Sequence, residues 1–385
     1  MKTVPGPVTV VQVNYAFDKE LIDPDQLLDR YHTLTGWSDA LRRAGAGRVT
    51  VVQRFHRDFR IARNGVDYVF RRRAIAAAVA AGAPAVAHVN GLSFPVRTWV
   101  LRRALEASCA LVVQNHGDGG PIGRAPWLRL GCVLTRTAAD GVLFAADEHA
   151  QRWRTARLIG PHQPIYQVMV ASTSLRPERR SEAREQTGIS GSPAVLWVGR
   201  LNANKDPLVV LDGFERAARE LTGATLTMIY SEDDLLAAVR ERVESSPALH
   251  DRVRLVGAVA HRRMASFYSA ADLFVVGSHH EGSGYALMEA CACGAQPVVP
   301  GIPTFRLLTG GGSIGALWAS GDAADCARAL VAVARRDRDA ERARITDHFA
   351  RELSWDVVGR RALEIYQRVI ERRTTNNERR RSNPA

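Results

Sequence analysis

Long uninterrupted apolar runs are missing from this sequence of 385 residues. A helix that crosses a bilayer needs about 20 predominantly apolar residues. The nearest candidate, Ala74–Leu92, is interrupted by Gly82, Pro84, His88 and Asn90. The N-terminal residues also lack the charged region and the small-residue cleavage pattern of a signal peptide. These absences predict a chain without a transmembrane helix that stays in the cytoplasm.

Cysteine and lysine are both scarce. The five cysteines are too few for a disulfide framework, and their odd number fits a reducing compartment. Cys291 and Cys293 have no second Cys or His pair at zinc spacing, so we predict that they are small core residues. Lysine occurs only at Lys2, Lys19 and Lys205. Any chemistry that needs a lysine in the second half of the chain must therefore use Lys205.

Acidic residues are in deficit, and one part of the chain carries most of that deficit. The formal net charge is +12. Lys and Arg exceed Asp and Glu by nine in residues 1–175, by one in residues 176–373 and by two in residues 374–385. This division favours a two-domain protein whose first domain faces an anionic surface. No RNA- or DNA-reading motif accompanies the arginines, so nucleic acid is not an expected partner.

Short β-branched runs alternate with helical patterns along the whole chain. Such alternation predicts parallel sheets that are covered by helices on both faces. We therefore predict an α/β fold of two doubly wound, Rossmann-like domains that face a central cleft. The predicted strands are residues 8–13, 49–53, 85–88, 111–115, 141–144, 194–198, 225–230, 253–256, 273–276 and 296–299.

The predicted domain boundaries divide the chain into four parts. The segment between Val170 and Pro193 has the composition of a linker. A helix with apolar periodicity follows Ser354. The parts are an N-terminal domain over residues 1–175, a C-terminal domain over 176–353, a helix over 354–373 and a disordered basic tail over 374–385.

The densest group of chemistry-bearing residues follows predicted strand 273–276 and opens a helix. Gly282 and Gly284 permit close approach of the backbone to a ligand, and the unpaired N–H groups that begin a helix form an anion site. Glu281 precedes this helix and Glu289 lies within it, where a carboxylate can accept hydrogen bonds from ribose hydroxyls. The pattern suits a nucleotide. A glycine turn with a helix-stabilising glutamate is the alternative.

A second polar group follows predicted strand 194–198. Arg200 and Lys205 flank a polar loop, and Asp206-Pro207 is suited to begin the next helix. Two cations at the carboxyl end of a strand can bind a diphosphate from both sides. A solvated loop with incidental charges is the alternative.

Together the two groups resemble a known family, the retaining glycosyltransferases of the GT-B architecture in family 4, also described as glycosyl transferases group 1. The motif G-R-x(3–4)-K is present as Gly199, Arg200 and Lys205, and E-x7-E is present as Glu281 and Glu289. The resemblance covers about residues 194–372 and extends to segments 255–257, 266–272, 292–299 and 301–303 and to the helix that begins at Ser354-Trp355.

The resemblance implies a role for each matching residue. Arg200 and Lys205 would bind the donor diphosphate, Glu289 would bind the ribose hydroxyls, and Glu281 would contact the donor sugar. No metal or other cofactor would be needed, because the cations and the helix dipole would stabilise the leaving phosphate. The final helix would cross back onto the N-terminal domain. The other residues predicted to bind the donor are Gly199, Gly282, Ser283, Gly284 and Tyr285.

The N-terminal half resembles the family less closely. His116 follows a predicted strand and resembles a family histidine beside the donor sugar, so it joins Arg200, Lys205 and Glu281 as a predicted catalytic residue. His88 and Asn90 are predicted on the acceptor side. The first strand departs from the family because Asn14-Tyr15-Ala16 and a long loop replace the usual Gly-Gly turn, which suggests an unusual acceptor.

Arginines with interleaved aromatic residues are concentrated in residues 54–73. In the resembled family the N-terminal domain binds the acceptor, so a basic, aromatic surface there would dock on anionic lipid at the inner face of the cell membrane. A solvated arginine-rich surface is the alternative. The residues are Arg54, Arg57, Arg60, Arg63 and Arg71–Arg73 with Phe55, Phe59, Tyr68 and Phe70.

The resulting prediction is a retaining, metal-independent transferase that moves a hexose from a nucleotide diphosphate sugar to a glycan or lipid-linked acceptor. One alternative is another enzyme of the same fold, such as a sugar-nucleotide epimerase. A pyridoxal-phosphate phosphorylase is disfavoured because Lys205 is the only lysine after Lys19. The alternative from another class is a non-catalytic protein that binds a sugar nucleotide or a membrane.

Overall fold

The computed structural model describes residues 6–116, 133–156, 159–160 and 163–382. The chain divides into two compact units: unit 1 is Met1–Ser172 with Trp355–Ala385, and unit 2 is Thr173–Ser354. Both boundaries lie within a few residues of those that the sequence predicts. Within the described ranges, no helix is both long and apolar enough to cross a membrane.

Unit 1 is built on an eight-stranded sheet with strand order β3-β4-β2-β1-β5-β6-β7-β8. Neighbouring strands are parallel except for the antiparallel pair of β3 and β4. The strands are β1 Val10–Asn14, β2 Val49–Arg54, β3 Phe59–Arg63, β4 Val66–Arg71, β5 Val86–Asn90, β6 Ala110–Gln114, β7 Gly141–Phe144 and β8 Ile165–Gln167. Its helices include α1 Pro24–Arg30, α2 His32–Arg43, α3 Ile75–Ala81, α4 Pro95–Ala104 and α5 Asp147–Thr155.

Strands β1, β5 and β6 of unit 1 bury mostly apolar side chains, and Gln12 and His88 are the polar exceptions before the last residue of each strand. Val11, Val89 and Val113 are fully buried in one core cluster, as expected where helices cover a parallel sheet. At the carboxyl ends, the strand register places Asn14 beside Asn90 and Asn90 beside Gln114. Polar side chains therefore line one edge of a sheet whose interior is mostly apolar.

Unit 2 is built on a six-stranded, fully parallel sheet with strand order β11-β10-β9-β12-β13-β14. The strands are β9 Ala194–Gly199, β10 Thr225–Tyr230, β11 Val253–Gly257, β12 Leu273–Val275, β13 Gln296–Pro300 and β14 Ala316–Trp318. The α-helices are α6 Arg180–Thr187, α7 Pro207–Ala217, α8 Leu236–Glu244, α9 Pro247–His250, α10 Met264–Ala270, α11 Tyr285–Cys293, α12 Pro303–Leu308, α13 Ala323–Ala334 and α14 Arg338–His348. A 3-10 turn, His261–Arg263, precedes α10, and a π-helical turn, Phe349–Leu353, follows α14.

The final helix, α15 (Trp355–Ser382), belongs to unit 1 and packs against α2. Contact is close because a Cβ on Gly36 would lie only 2.4 Å from the Trp355 ring. The predicted disordered tail from Thr374 is wrong, since α15 continues to Ser382. Arg373 forms an ion pair with Asp140, and Asn377 Nδ2 donates to the Ala107 carbonyl at 3.0 Å. Contacts with residues distant in sequence thus hold the last turns of α15, whose own residues are polar.

The prediction of a basic, aromatic surface is wrong for most of its aromatic residues. Tyr68 and Phe70 are buried because β4 alternates its side chains between the core and the outside, and Phe55, which follows β2, is buried against Phe70; Phe59 alone stays 39% exposed. Several arginines pair with aspartates, at 3.1 Å for Arg60–Asp67, 2.9 Å for Arg63–Asp29 and 3.3 Å for Arg71–Asp58. The surface is therefore arginine-rich but largely without exposed aromatic rings.

Candidate functional site

The loops that follow β9 and β12 are held together at the carboxyl edge of the unit 2 sheet. Gly277 follows β12, and a Cβ there would lie 2.5 Å from the Asp206 carbonyl oxygen. Asn204 joins the loops: its Nδ2 donates to the His280 carbonyl at 3.0 Å and its Oδ1 accepts from the His280 N–H at 3.1 Å. The sequence does not mark Gly277 or Asn204 as site residues. Neither spacing nor residue type predicts a contact such as that of Asn204 with His280, which lies 76 positions away.

This contact brings together two residues that the sequence predicts in one site. The Lys205 ammonium forms an ion pair with Glu281 Oε1, and both side chains are only 14% exposed. Ser278 Oγ donates to the same carboxylate oxygen at 2.8 Å, and Thr304 Oγ1 donates to the Glu281 carbonyl at 2.6 Å. The pair keeps a positive charge fixed next to the loop that begins α11.

Helix α11 begins directly after the glycine turn. Gly284 adopts a φ of +65° at the N-cap, and a Cβ there would lie 2.6 Å from Leu308 Cδ1, so only glycine fits. Gly282 and Ser283 are half-buried in the turn, and Tyr285 is the first helical residue. The N–H groups of this first turn carry the positive end of the helix dipole and can bind an anion.

Glu289 lies one turn further along α11 and is almost fully buried. Its Oε2 accepts from the Tyr268 hydroxyl at 3.0 Å, and its Oε1 lies 2.7 Å from His261 Nε2. The hydrogen bond that His261 donates to Glu289 raises the pKa of His261, while burial and the same carboxylate raise the pKa of Tyr268. Tyr268 lies in a segment that resembles the family, but nothing in the sequence marks His261.

Arg200 and Gly199 lie at the start of the same loop. Gly199 ends β9, and Arg200 is 53% exposed and pairs with Glu232 at 3.5 Å. The structure therefore joins Lys205 directly to Glu281, whereas Arg200 is held by another carboxylate. An exposed guanidinium on a loose ion pair remains available to a phosphate.

In unit 1 the structure places the predicted catalytic residue His116 beside Asn90, one of the two predicted acceptor-side residues, and His88, the other, elsewhere. His116 Nε2 lies 3.3 Å from Asn90 Oδ1, and both residues line a cavity of about 350 Å³. His88 is corrected: it is fully buried, and its Nδ1 accepts from the Tyr366 hydroxyl of α15 at 2.6 Å. Burial lowers the pKa of His88 to about 3. His88 is therefore a neutral core residue: it points to the same face of the sheet as Asn90 but lies two residues further from the strand end, where Tyr366 of α15 covers it.

Comparisons with known proteins agree with this architecture. Residues 192–336 match the family described as glycosyl transferases group 1. A D-inositol 3-phosphate glycosyltransferase of Xylanimonas cellulosilytica is 31% identical over 201 residues, which are 50% of this chain and 47% of that protein. A GDP-mannose:cellobiosyl-diphosphopolyprenol alpha-mannosyltransferase of Xanthomonas campestris is 27% identical over 285 residues, 71% of this chain and 72% of that protein. The chain thus spans about half the length of the first relative.

Solved structures resemble the chain over nearly its whole length. Anabaena HepE in complex with UDP superposes with a TM-score of 0.70 at 15% identity and covers 94% of this chain and 100% of its own. Sucrose-phosphate synthase from Thermosynechococcus elongatus gives a TM-score of 0.67 at 18% identity, with 94% and 99% covered. At such identities the likeness concerns the fold. Residues 192–336 thus resemble the group 1 glycosyl transferases, and the two parallel α/β units share the GT-B fold of these solved structures.

Proposed function

We propose that this protein is a retaining, metal-independent hexosyltransferase that uses a nucleoside diphosphate sugar as donor. The observation that carries the proposal is the pairing of Lys205 with Glu281 beside the first turn of α11. A fixed cation, a helix N-terminus and a carboxylate within one loop system suit a ligand with a diphosphate and sugar hydroxyls. Several solved structures of this fold hold UDP or UDP-glucose, which supports a nucleotide-sugar donor.

The transfer needs charge stabilisation more than it needs a strong base. The acceptor hydroxyl forms a bond to the anomeric carbon and loses its proton, while the bond from that carbon to the diphosphate oxygen breaks. The negative charge that develops on the departing nucleoside diphosphate would be stabilised by Lys205, by Arg200 and by the N–H groups that begin α11. Retention at the anomeric carbon and independence of metal rest on the family resemblance.

Glu289 is proposed to bind the ribose. Each carboxylate oxygen can accept two hydrogen bonds, and each already accepts one, from Tyr268 or His261. Tyr268 is buried and holds the carboxylate in place. His261 is half-exposed and can be displaced, so a ribose hydroxyl would take its position on Oε1.

The proposed acceptor is a glycan or a lipid-linked glycan that unit 1 binds. The names of the relatives point to different acceptors, an inositol phosphate in one and a cellobiosyl-diphosphopolyprenol in the other. The charge excess of the N-terminal part supports an acceptor that is presented at an anionic surface, with exposed Arg57, Arg72 and Arg73 as the contact. In that case the protein works at the inner face of the cell membrane.

A donor screen tests the proposal. The full chain is incubated with UDP-, GDP- and ADP-hexoses, and release of nucleotide and the anomer of the product are followed by NMR. We expect turnover of one donor class, an axial product from an axial donor, and unchanged rates in EDTA. An inverted product would refute retention, and inhibition by EDTA would refute metal independence. Nucleotide binding without turnover of any donor would favour the non-catalytic alternative.

A further inference from the structure

Unit 1 contains a cavity at the carboxyl ends of β1, β5 and β6, and His116 and Asn90 form part of its lining. Its volume is about 350 Å³, within the range of small-molecule sites. Strand ends contribute the polar side of the wall, and the segment from the end of α1 into α2 contributes the other side. The same segment follows the long loop that replaces the family's glycine turn.

Two buried amides open onto this cavity with unused hydrogen-bonding capacity. Gln12 and Gln114 are each 1% exposed and both line the cavity. Gln12 Oε1 accepts from Ser38 Oγ at 3.1 Å, but among the described residues neither Gln12 Nε2 nor Gln114 Nε2 has a hydrogen-bond partner. Buried donors are nearly always paired in folded proteins. Two unpaired donors in one wall therefore indicate a ligand that supplies acceptors.

A neighbouring glutamine shows that the fold can satisfy such a group. Gln53, also buried, accepts from Asn14 Nδ2 at 2.7 Å and donates through Nε2 to the carbonyls of Ala16 and Arg54 at 3.0 and 2.8 Å. The first of these bonds also pairs the Asn14 side chain within the protein. The Nε2 groups of Gln12 and Gln114 differ from that of Gln53 in having no such partner among the described residues.

The lining has a definite chemical character. None of the described residues that line the cavity is Lys, Arg, Asp or Glu. Primary amides both donate and accept, which suits vicinal hydroxyls, and the rings of Tyr31, Trp37 and Phe94 offer apolar faces to the C–H groups of a sugar. A phosphate or carboxylate ligand would need a cation that this part of the wall does not provide.

We propose that this cavity binds an uncharged, polyhydroxylated ring of the acceptor, a pyranose or a cyclitol, through the amides of Gln12 and Gln114. The inference rests on the proposed function and narrows it: the ring that enters the cavity is not phosphorylated. The arginine-rich surface would then contact a different, anionic part of the acceptor or its membrane, outside the cavity.

The test is a titration of the full chain in the absence of donor. The neutral probes are myo-inositol, methyl α-D-glucopyranoside, methyl α-D-mannopyranoside and cellobiose, and glucose 6-phosphate and inositol 3-phosphate are the charged counterparts. Binding is followed by ligand-observed NMR. We expect at least one neutral probe to bind, and its affinity to fall about tenfold in Gln114→Met, which loses the hydrogen bonds but keeps the volume.

The matched control is Gln296→Met, a buried glutamine on β13 of unit 2, which should leave probe affinity unchanged. Gln114→Glu supplies a second variant that keeps the shape and removes the donor, so it should weaken the neutral probe as well. The inference is overturned if no neutral probe binds, if Gln114→Met binds it as well as the wild type, or if a phosphorylated counterpart binds tighter. Because no donor is present, these outcomes are independent of whether nucleotide sugars are turned over.

Discussion

The polar site of unit 2 and the cavity of unit 1 are built from different kinds of side chain. In unit 2, oppositely charged groups pair with one another, as in Lys205–Glu281 and His261–Glu289. In unit 1, the cavity is lined by amides and aromatic rings, and its unused donors are neutral. Desolvating a charge costs far more than desolvating an amide. The charged groups of unit 2 therefore fit the proposed diphosphate, and the amides of unit 1 fit the proposed neutral ring.

Net charge alone would assign the anionic ligand to unit 1 and the neutral ligand to unit 2. The basic excess lies in the part of the chain that forms most of unit 1, yet the described wall of its cavity carries no lysine or arginine. Arg60, Arg63 and Arg71 instead pair with aspartates on the outside. The charge that matters to a site is therefore the local one, and the excess belongs to the exterior of the unit.

Replacing the fixed cation of unit 2 should have the largest effect. We expect Lys205→Ala to lower kcat/KM with the preferred donor by about 10²- to 10³-fold, because it removes the group that faces the charge developing on the leaving diphosphate. Steady-state kinetics and thermal unfolding measure activity and folding separately. Arg335→Ala, which breaks an exposed ion pair with Glu220 in the same unit, is the control and should be neutral. Near-normal activity in folded Lys205→Ala would remove the diphosphate role.

Removing the exposed arginines of unit 1 should have the next largest effect, and only at a membrane. We expect Arg72→Ala with Arg73→Ala to weaken binding to vesicles rich in anionic lipid by about 25-fold, at about 1 kcal/mol for each arginine near the surface. Flotation measures it. The control double variant, Arg328→Ala with Arg335→Ala, removes the same charge from unit 2 and should bind like the wild type. Equal losses in both variants would show that net charge alone acts.

Breaking the contact between the two loops of unit 2 should have a moderate effect. Asn204→Ala removes both hydrogen bonds to the His280 backbone and leaves Lys205 in place. We expect nucleotide affinity to fall about tenfold, because the loop that carries Lys205 is no longer hydrogen-bonded to the loop that precedes α11. Calorimetric titration with UDP and GDP measures it. Asn377→Ala, which loses an amide hydrogen bond to Ala107 in unit 1, should not change this affinity.

The smallest effect concerns pH. Glu289 raises the pKa of His261, so their pairing contributes stability that is complete below the unfolded-state pKa of about 6.5 and is lost as the pH rises through the folded-state pKa. Loss of the proton frees Glu289 for ribose. We therefore expect nucleotide affinity to rise about threefold across this window, measured by titration at several pH values. In His261→Gln this rise should disappear; its persistence would assign it to another group.

Much of the fold could be predicted from the sequence, because parallel strands covered on both faces need apolar runs. All ten predicted strands exist within about two residues of their predicted ends. Four described strands were missed: β8 and β14, which have three residues each, and β3 and β4, whose arginines interrupt the pattern. Strand β3 is mostly exposed, and β4 buries only alternate residues. For the same reason their aromatic residues were assigned to a surface rather than to the core.

The site was predicted in its residue types and less well in its contacts. Gly284 and Gly199 have positions that follow from local turn chemistry, and Lys205 and Glu281 are brought together as the motifs imply. His88 was misassigned because its environment depends on Tyr366, 278 residues away in sequence. Asn204 and His261 have partners across the fold, and no local pattern marks such pairings.

The sequence by itself determined the two parallel α/β units, the loops that carry the charged residues and the glycines that let α11 begin where it does. These follow from periodicity and backbone sterics, which act between residues near in the chain. Tertiary structure alone decided which histidine is buried, how far α15 extends, and that Gln12 and Gln114 open onto one cavity with unused donors. Those outcomes depend on desolvation and on hydrogen bonds between distant segments, and both exist only once the chain has folded.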